Sequence, residues 1–287
     1  MIRNGDVGDW QLPDVGFLLT SSLPSKRSNF LARTNPVPGD EHISFDEEKH
    51  VYTFRGKQVA QSVTGLLHLY AHEFDAHEAI YAMLNGRDWE TKKKKYLKED
   101  GQMMTVDEIV EAWATNGAVQ RARGTLLHFH AEQFLNGCEI EKPHSPEFQQ
   151  VVQICNTLRA EGYEPFRTEF SMYHSVLECA GQADLLCRDA DGNIIIVDWK
   201  RTKELKFIAT QPLKSPLDNV PDCNYFLYAL QLNLYAHILE SKEYKFTVSR
   251  MLLGIVHPLR LHGQIIEVPR LLEELDVLEE DILAEKK

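Results

Sequence analysis

The sequence predicts a mixed α/β fold, with a central mixed β-sheet flanked by helices and an N-terminal helical segment ahead of it. Three observations carry that expectation. The apolar spacing is helical from His72 to Gly137 and again from Pro146 to Glu161. After Gly162 it changes to the alternation of strands. Within the second region, the run Ile194 to Val197 is β-branched throughout, as a strand buried on both faces would be, and a helical pattern follows from about Asn224 to Ser241.

The elements follow in order. Residues 1–38 are rich in Pro, Ser, Asn and Gly without a sustained period, which predicts an extended or poorly ordered arm. ISFDEEKHVYTFRGKQVA alternates around Asp46-Glu47-Glu48 and Arg55-Gly56-Lys57, as a hairpin does. Ser62 and Thr64 are candidate caps for a helix through SVTGLLHLY. Thr105 and Glu108 form a capping box for a helix over Val106 to Ala114, and a separate helix is expected from Gly117 to Asn136. Strands are expected in PFRTEFSMYHSV, LECAGQADLLCRD, NIIIVDWKRT and FTVSRMLLGIVH, with Asp189 to Asn193 as a hairpin turn. An acidic helix should follow Pro269. The expected divisions are the arm (1–38), a hairpin and helical segment (39–114), the core (115–265) and the acidic C-terminal helix (266–287).

With 287 residues, 43% hydrophobic and 26% charged, the chain is not intrinsically disordered. Its 31 Lys and Arg against 43 Asp and Glu give a formal charge of −12, the wrong sign for a protein that coats nucleic acid nonspecifically. No run approaches the roughly 18 apolar residues of a membrane span. The first charges are mixed (Arg3, Asp6, Asp9, Asp14), and Val15 to Leu19 is too short for a signal-peptide core. A soluble, intracellular protein is expected. Five cysteines without a CxxC spacing point to a reducing compartment and to neither a disulfide framework nor a zinc knuckle.

The chemistry is concentrated in IIIVDWK. Side chains alternate along a strand, so Asp198 and Lys200 leave the same face at the end of a buried run. A buried carboxylate is costly unless it is paired or bound to a cation. The neighbouring strand carries Asp184 in AGQADLL, and pairing across the turn can bring the two acids together. Held close, they repel unless one is protonated or a metal bridges them, and oxygen ligands suit Mg²⁺ or Mn²⁺. Glu169 on the preceding strand adds a third acid. On the helix YALQLNLYAHILE, Tyr228, Gln231 and Tyr235 form one polar and aromatic stripe. In RARGTLLHFHAEQFLNG, Gly124, His128 and Glu132 share a helix face, and His128 can donate an imidazole nitrogen to the same cation. A helical glycine costs about 1 kcal/mol, so Gly124 is expected to mark close packing.

GTLLH with Glu132, GQAD, DWK and QLNLY, in that order, resembles the RecB-like branch of the PD-(D/E)XK nuclease superfamily, which includes the Cas4-like nucleases and the mitochondrial genome maintenance exonucleases. The resemblance covers about residues 115–240 and implies a restriction-endonuclease-like core. It implies that His128, Asp184 and Asp198 ligate metal, that Asp184, Asp198, Lys200 and Glu169 are catalytic, and that Gln231 and Tyr235 contact substrate and steady the lysine. Some members hold an iron–sulfur cluster through four cysteines, three of them clustered after the core. No cysteine follows Cys223 here, so no such cluster is expected.

The expected activity is Mg²⁺-dependent hydrolysis of DNA phosphodiesters, with Mn²⁺ as an alternative ion, by an exonuclease acting on single-stranded or free ends. A structure-specific endonuclease is an alternative, and so is a nuclease-fold module that binds nucleic acid or protein without cutting. The intact set of Asp184, Asp198 and Lys200 speaks against the module. Arg121 and Arg123 are candidate phosphate contacts. Lys92 to Lys95, Lys203, Lys206 and Lys214 are further basic positions, and Trp89, Tyr96 and Trp113 are candidate stacking residues. The acidity is uneven: residues 37–50 hold five acids and one base, and residues 267–287 hold eight acids and three bases. Those segments are expected to stay away from a DNA channel, and the C-terminal helix offers a surface for a protein partner.

Overall fold

In the computed structural model, which describes residues 29–138, 140 and 145–286, the change of periodicity at Gly162 is a change from helices to strands. Most of the arm expected over 1–38 lies outside the described residues. Its last part is a short helix, α1 (Phe30–Thr34). The hairpin follows as β1 (Ile43–Asp46), β2 (Val51–Phe54) and β3 (Lys57–Gln58), then β4 (Gln61–Ser62) and α2 (Val63–Tyr70). Ser62 caps α2, its hydroxyl accepting from the Gly65 N–H at 2.9 Å.

The described chain forms two compact units, a smaller one with residues 74–126 and a larger one with 29–73 and 127–286. The smaller unit holds α3 (Ala76–Leu84), α4 (Trp89–Lys92), a 3-10 turn at Lys93–Tyr96 and the first part of α5 (Val106–Leu135). The capping box is present: the Thr105 N–H donates to Glu108 at 2.7 Å, and the Glu108 N–H to the Thr105 hydroxyl at 3.3 Å. The break expected between Ala114 and Gly117 is absent, and α5 runs through as one helix of 30 residues. One helical glycine weakens a helix by about 1 kcal/mol without ending it. Here the Gln120 amide also donates to Asn116 at 3.0 Å, bridging the junction on the helix surface.

The larger unit is built on a mixed six-stranded sheet. Its strands are β4, β5 (Glu164–His174), β6 (Cys179–Arg188), β7 (Ile194–Arg201), β8 (Val248–Val256) and β9 (Gln264–Glu267). The order is β4-β6-β7-β8-β9, with β5 also paired to β6. The β6–β7 turn is closed by Asp189, whose carboxylate accepts from the N–H groups of Asp191 and Asn193 at 3.0 and 2.8 Å, and by Gly192 at φ 88°. The chain then crosses through α7 (Asn224–Glu240), so that β8 lies parallel to β7. The short strand β9 was not expected, because four residues at a sheet edge carry too little periodicity.

Helices cover both faces. Ile194 and Ile196 pack with α2, α7 and α8 (Leu272–Glu285), while Ile195, Val197 and Trp199 pack with α6 (Pro146–Ala160) and the end of α5. That two-sided cover explains the unbroken apolar run of β7. The acidic C-terminal helix joins the core through Leu275, Leu278 and Ile282, and its Asp281 accepts from the Tyr70 hydroxyl at 2.7 Å. Among the described residues, no helix is long and apolar enough to cross a membrane.

β6 is where the ladder opens. β5 pairs along its length, from Glu164 opposite Arg188 to His174 opposite Cys179. The other edge is shared: β7 takes Leu185 to Arg188, and β4 takes Cys179 and Ala180. Residues 181–184 therefore line a gap where β6 and β7 diverge.

The close packing expected at Gly124 is not found. A Cβ there meets nothing within 4 Å, so this glycine weakens its helix without serving a contact in the described structure. Gly124→Ala should raise the stability of the protein by up to about 1 kcal/mol, read as a higher urea midpoint at unchanged m-value. Destabilisation would mean that the position answers to a contact the static fold does not contain.

Candidate metal and active centre

The last paired residues of β6 and β7 are Leu185 and Val197, and the next residue on each strand beyond the ladder is an aspartate. Trp199 lies beyond the β6–β7 ladder, and Asp184 Oδ2 accepts from its N–H at 2.7 Å. The other oxygen, Oδ1, faces His128 Nδ1 on α5 at 3.3 Å. On β5, the register sets Thr168 opposite Leu185 and Phe170 opposite Ala183, which leaves Glu169 across from Asp184. Glu169 has φ 46°, a left-handed conformation that an unbranched L-residue adopts only at a cost. Its carbonyl accepts from the Gln182 amide at 3.1 Å, so the glutamine of GQAD supports the bend.

His128, Glu169 and Asp184 each offer one ligand atom, and these atoms lie within 4.8 Å of one another. An imidazole and two carboxylates at that spacing can hold one divalent cation. Asp198 stands beside the group with a different partner. It is 2% exposed, and its Oδ2 lies 2.7 Å from Lys200 Nζ. The contact is off the hydrogen-bonding axis, and that oxygen has no hydrogen-bond partner in the described structure. Such a buried, under-satisfied oxygen is what a nearby cation would complete.

Lys200 is held from several sides. Besides Asp198, Gln231 Oε1 accepts from its ammonium at 2.9 Å, and Nζ lies 4.5 Å from the centre of the Tyr228 ring. The Gln231 amide nitrogen donates in turn to the Tyr235 hydroxyl at 2.8 Å. Tyr235 has a tight seat, because a Cβ on Gly181 would lie 2.5 Å from its ring. Gly181 is thus a close-approach glycine at this centre.

The charges respond to this crowding. Burial pushes Asp198 up, to about 6, and Asp184 adds to the push while Lys200 opposes it. Burial also acts on Asp184, but the imidazolium of His128, then Lys200 and the Trp199 N–H, outweigh it and hold that carboxyl below its usual range. Burial pulls His128 down, yet Asp184, Glu169 and Asp198 together raise it to about 9. Lys200 is likewise raised, the Asp198 and Asp184 carboxylates outweighing the effect of burial. Without a cation, the centre therefore keeps a proton on His128.

The structure brings His128, Glu169, Asp184, Asp198, Lys200, Gln231 and Tyr235 into one centre of the larger unit. Arg121 is exposed and Arg123 half-buried on the part of α5 that belongs to the smaller unit. In that unit Lys92 and Lys93 pair with Asp88 and Glu90, Trp89 stacks on Tyr96 at 5.8 Å, and Trp113 faces Phe74 at 6.3 Å. Lys214 donates to the Leu69 carbonyl at 3.1 Å, while Lys203 and Lys206 are exposed. Tyr52 was not anticipated. It is buried on β2, and after burial itself the carboxylates of Glu169 and Asp184 are what raise its hydroxyl pKa. No local pattern in VYTF signals that the hairpin reaches this centre.

No family model and no curated protein matches the chain. Among solved structures, SSO0001 is similar at 16% identity over 57% of this chain and 86% of its own, with a TM-score of 0.27. A "Putative exonuclease" from Eubacterium rectale is similar at 13% identity over 74% of this chain and 66% of its own, with a TM-score of 0.30. At these values the functional reading rests on the geometry of the site.

Two outcomes follow. His128 has an ordinary pKa of 6.5 and a folded value near 9, so its proton stabilises the cation-free fold fully below about pH 6.5, and that contribution is lost as pH rises through 9. Urea unfolding in EDTA should therefore show stability falling across that window, and His128→Gln should flatten the fall. Gly181→Ala should cost about 1–3 kcal/mol by forcing Tyr235 from its seat, and should weaken the hold on Lys200. A Gly181→Ala protein as stable as the parent would show that the ring has room to move.

Proposed function

We propose that this chain is a metal-dependent deoxyribonuclease of the PD-(D/E)XK type, an exonuclease working on single-stranded or free DNA ends. The observation that supports it most is the junction of two functions at one strand divergence: a cation-binding trio of His128, Glu169 and Asp184, and an ammonium fixed between Asp198 and Gln231. A module that only binds has no use for a buried lysine held by that much apparatus, since burying unmatched charge is costly.

His128, Glu169 and Asp184 would hold the ion, with Asp198 completing its surroundings, and the carboxylate oxygens of the set suit Mg²⁺ or Mn²⁺. When bound, such an ion polarises the scissile phosphate and lowers the pKa of a water. Lys200 supplies charge and not a base. Its pKa is raised, so it remains an ammonium at neutral pH. Gln231 takes one of its three N–H donors and Asp198 holds the ammonium as an ion pair, which leaves donor capacity for a phosphate oxygen. Negative charge developing there is stabilised without reorganisation. Gln231 orients the lysine, and Tyr235 orients Gln231. Arg121 and Arg123 would contact phosphates further along the strand.

End-labelled single-stranded, duplex and closed-circular DNA, each with Mg²⁺, test this reading. Linear single strands should be degraded, EDTA should stop the reaction, and Asp184→Asn and Lys200→Ala should each lower the rate at least about a hundredfold. Degradation of closed circles would instead favour the endonuclease, and cleavage that survives both EDTA and the substitutions would sink the assignment.

A further inference from the structure

An aromatic row leads away from this centre along α7. Tyr228 lies against the Lys200 ammonium, and Tyr225, three residues earlier, is its neighbour on the same helix face. Tyr225 in turn meets Phe207, with ring centroids 4.4 Å apart and planes tilted by 41°. Phe207 belongs to the segment joining β7 to α7, and it is tied down there. The Asn224 side chain donates to the Glu204 carbonyl at 3.0 Å and accepts from the Lys206 N–H at 2.8 Å, clamping the backbone just before the ring.

Phe207 is nevertheless 49% exposed, and Ile208 beside it 86%. A solitary exposed apolar side chain signifies little. This one is anchored, continuous with the row that touches Lys200, and next in sequence to the exposed ammonium of Lys206, with Lys203 four residues ahead of it. Flat rings flanked by cations match an unpaired nucleic-acid strand, which offers base faces and phosphates in alternation. A duplex keeps those faces stacked inside and cannot use the rings in the same way.

We propose that Phe207 and Tyr225 form a base-stacking subsite for the unpaired nucleotides of a single strand whose scissile phosphate lies at Lys200, with Lys203 and Lys206 on its phosphates. The inference rests on the nuclease reading and adds to it a reason for single-strand preference.

The test uses the full chain with Ca²⁺ in place of Mg²⁺ and reads anisotropy of three labelled probes: oligothymidylate, an abasic strand of the same length, and a blunt duplex. Phe207→Ala should weaken oligothymidylate binding about tenfold. Phe207→Trp should restore it, and affinity for the abasic strand and the duplex should not change. In Mg²⁺, hydrolysis of bis(p-nitrophenyl) phosphate, which carries no neighbouring nucleotides to stack on Phe207, should be equal in Phe207→Ala and the parent. Unchanged oligothymidylate binding in Phe207→Ala overturns the subsite, as does an equal loss for the abasic strand, which would place the effect on phosphate contacts. A parent chain that binds oligothymidylate and the abasic strand equally overturns it too. Failure of the nuclease reading is separate: the parent would then cleave neither DNA nor the small diester, whatever Phe207→Ala does to binding.

Discussion

Asp198 and Lys200 leave one face of a strand that begins with four buried apolar residues, and the surrounding structure answers to that buried pair. A carboxylate with 2% of its surface exposed requires a cation. Lys200 provides one at 2.7 Å, but the ammonium must then be satisfied in turn. Gln231 accepts from it, Tyr235 accepts from Gln231, and the Tyr228 ring lies against it. The need for compensation thus propagates from the end of β7 through Gln231 and Tyr235 of α7 and finishes at Gly181, where the absence of a Cβ admits the Tyr235 ring.

The second half of the centre has the opposite imbalance. Asp184 and Glu169 face each other across β5 and β6, and Asp198 adds a third acid close by. One proton on His128 offsets only part of this charge. An excess of carboxylates around one partly exposed imidazole is unfavourable as a resting arrangement and well suited to a divalent cation. The left-handed backbone of Glu169 belongs to the same trade: local strain is accepted where it aims a ligand, and Gln182 limits its cost by taking the displaced carbonyl.

The sheet makes this economy possible. β6 serves β5 on one edge and divides the other between β4 and β7, so four of its residues face a gap. Freed backbone donors there are available to side chains, as the Trp199 N–H is to Asp184. Two packed faces keep water from the strands, so the charges at the divergence act on one another with little screening.

Much of the fold was legible because it rests on local periodicity. The β-branched run of β7, the Asp189 to Asn193 turn, the capping box at Thr105 and the caps at Ser62 all follow from neighbours in the chain. Alternation placed Asp198 and Lys200 on one face, and helical spacing placed Gln231 one turn from Tyr235, so the sequence by itself determined which groups could act together within each element. It could not reach what depends on distance along the chain. That Glu169 sits across from Asp184 depends on strand register, that Tyr52 reaches their field depends on where a hairpin packs, and that Gly181, unlike Gly124, meets a ring closely depends on which ring arrives from α7. Those contacts join residues from 15 to more than a hundred positions apart, and their energies exist only once the sheet has opened and the helices have covered it, so only the tertiary structure decided them.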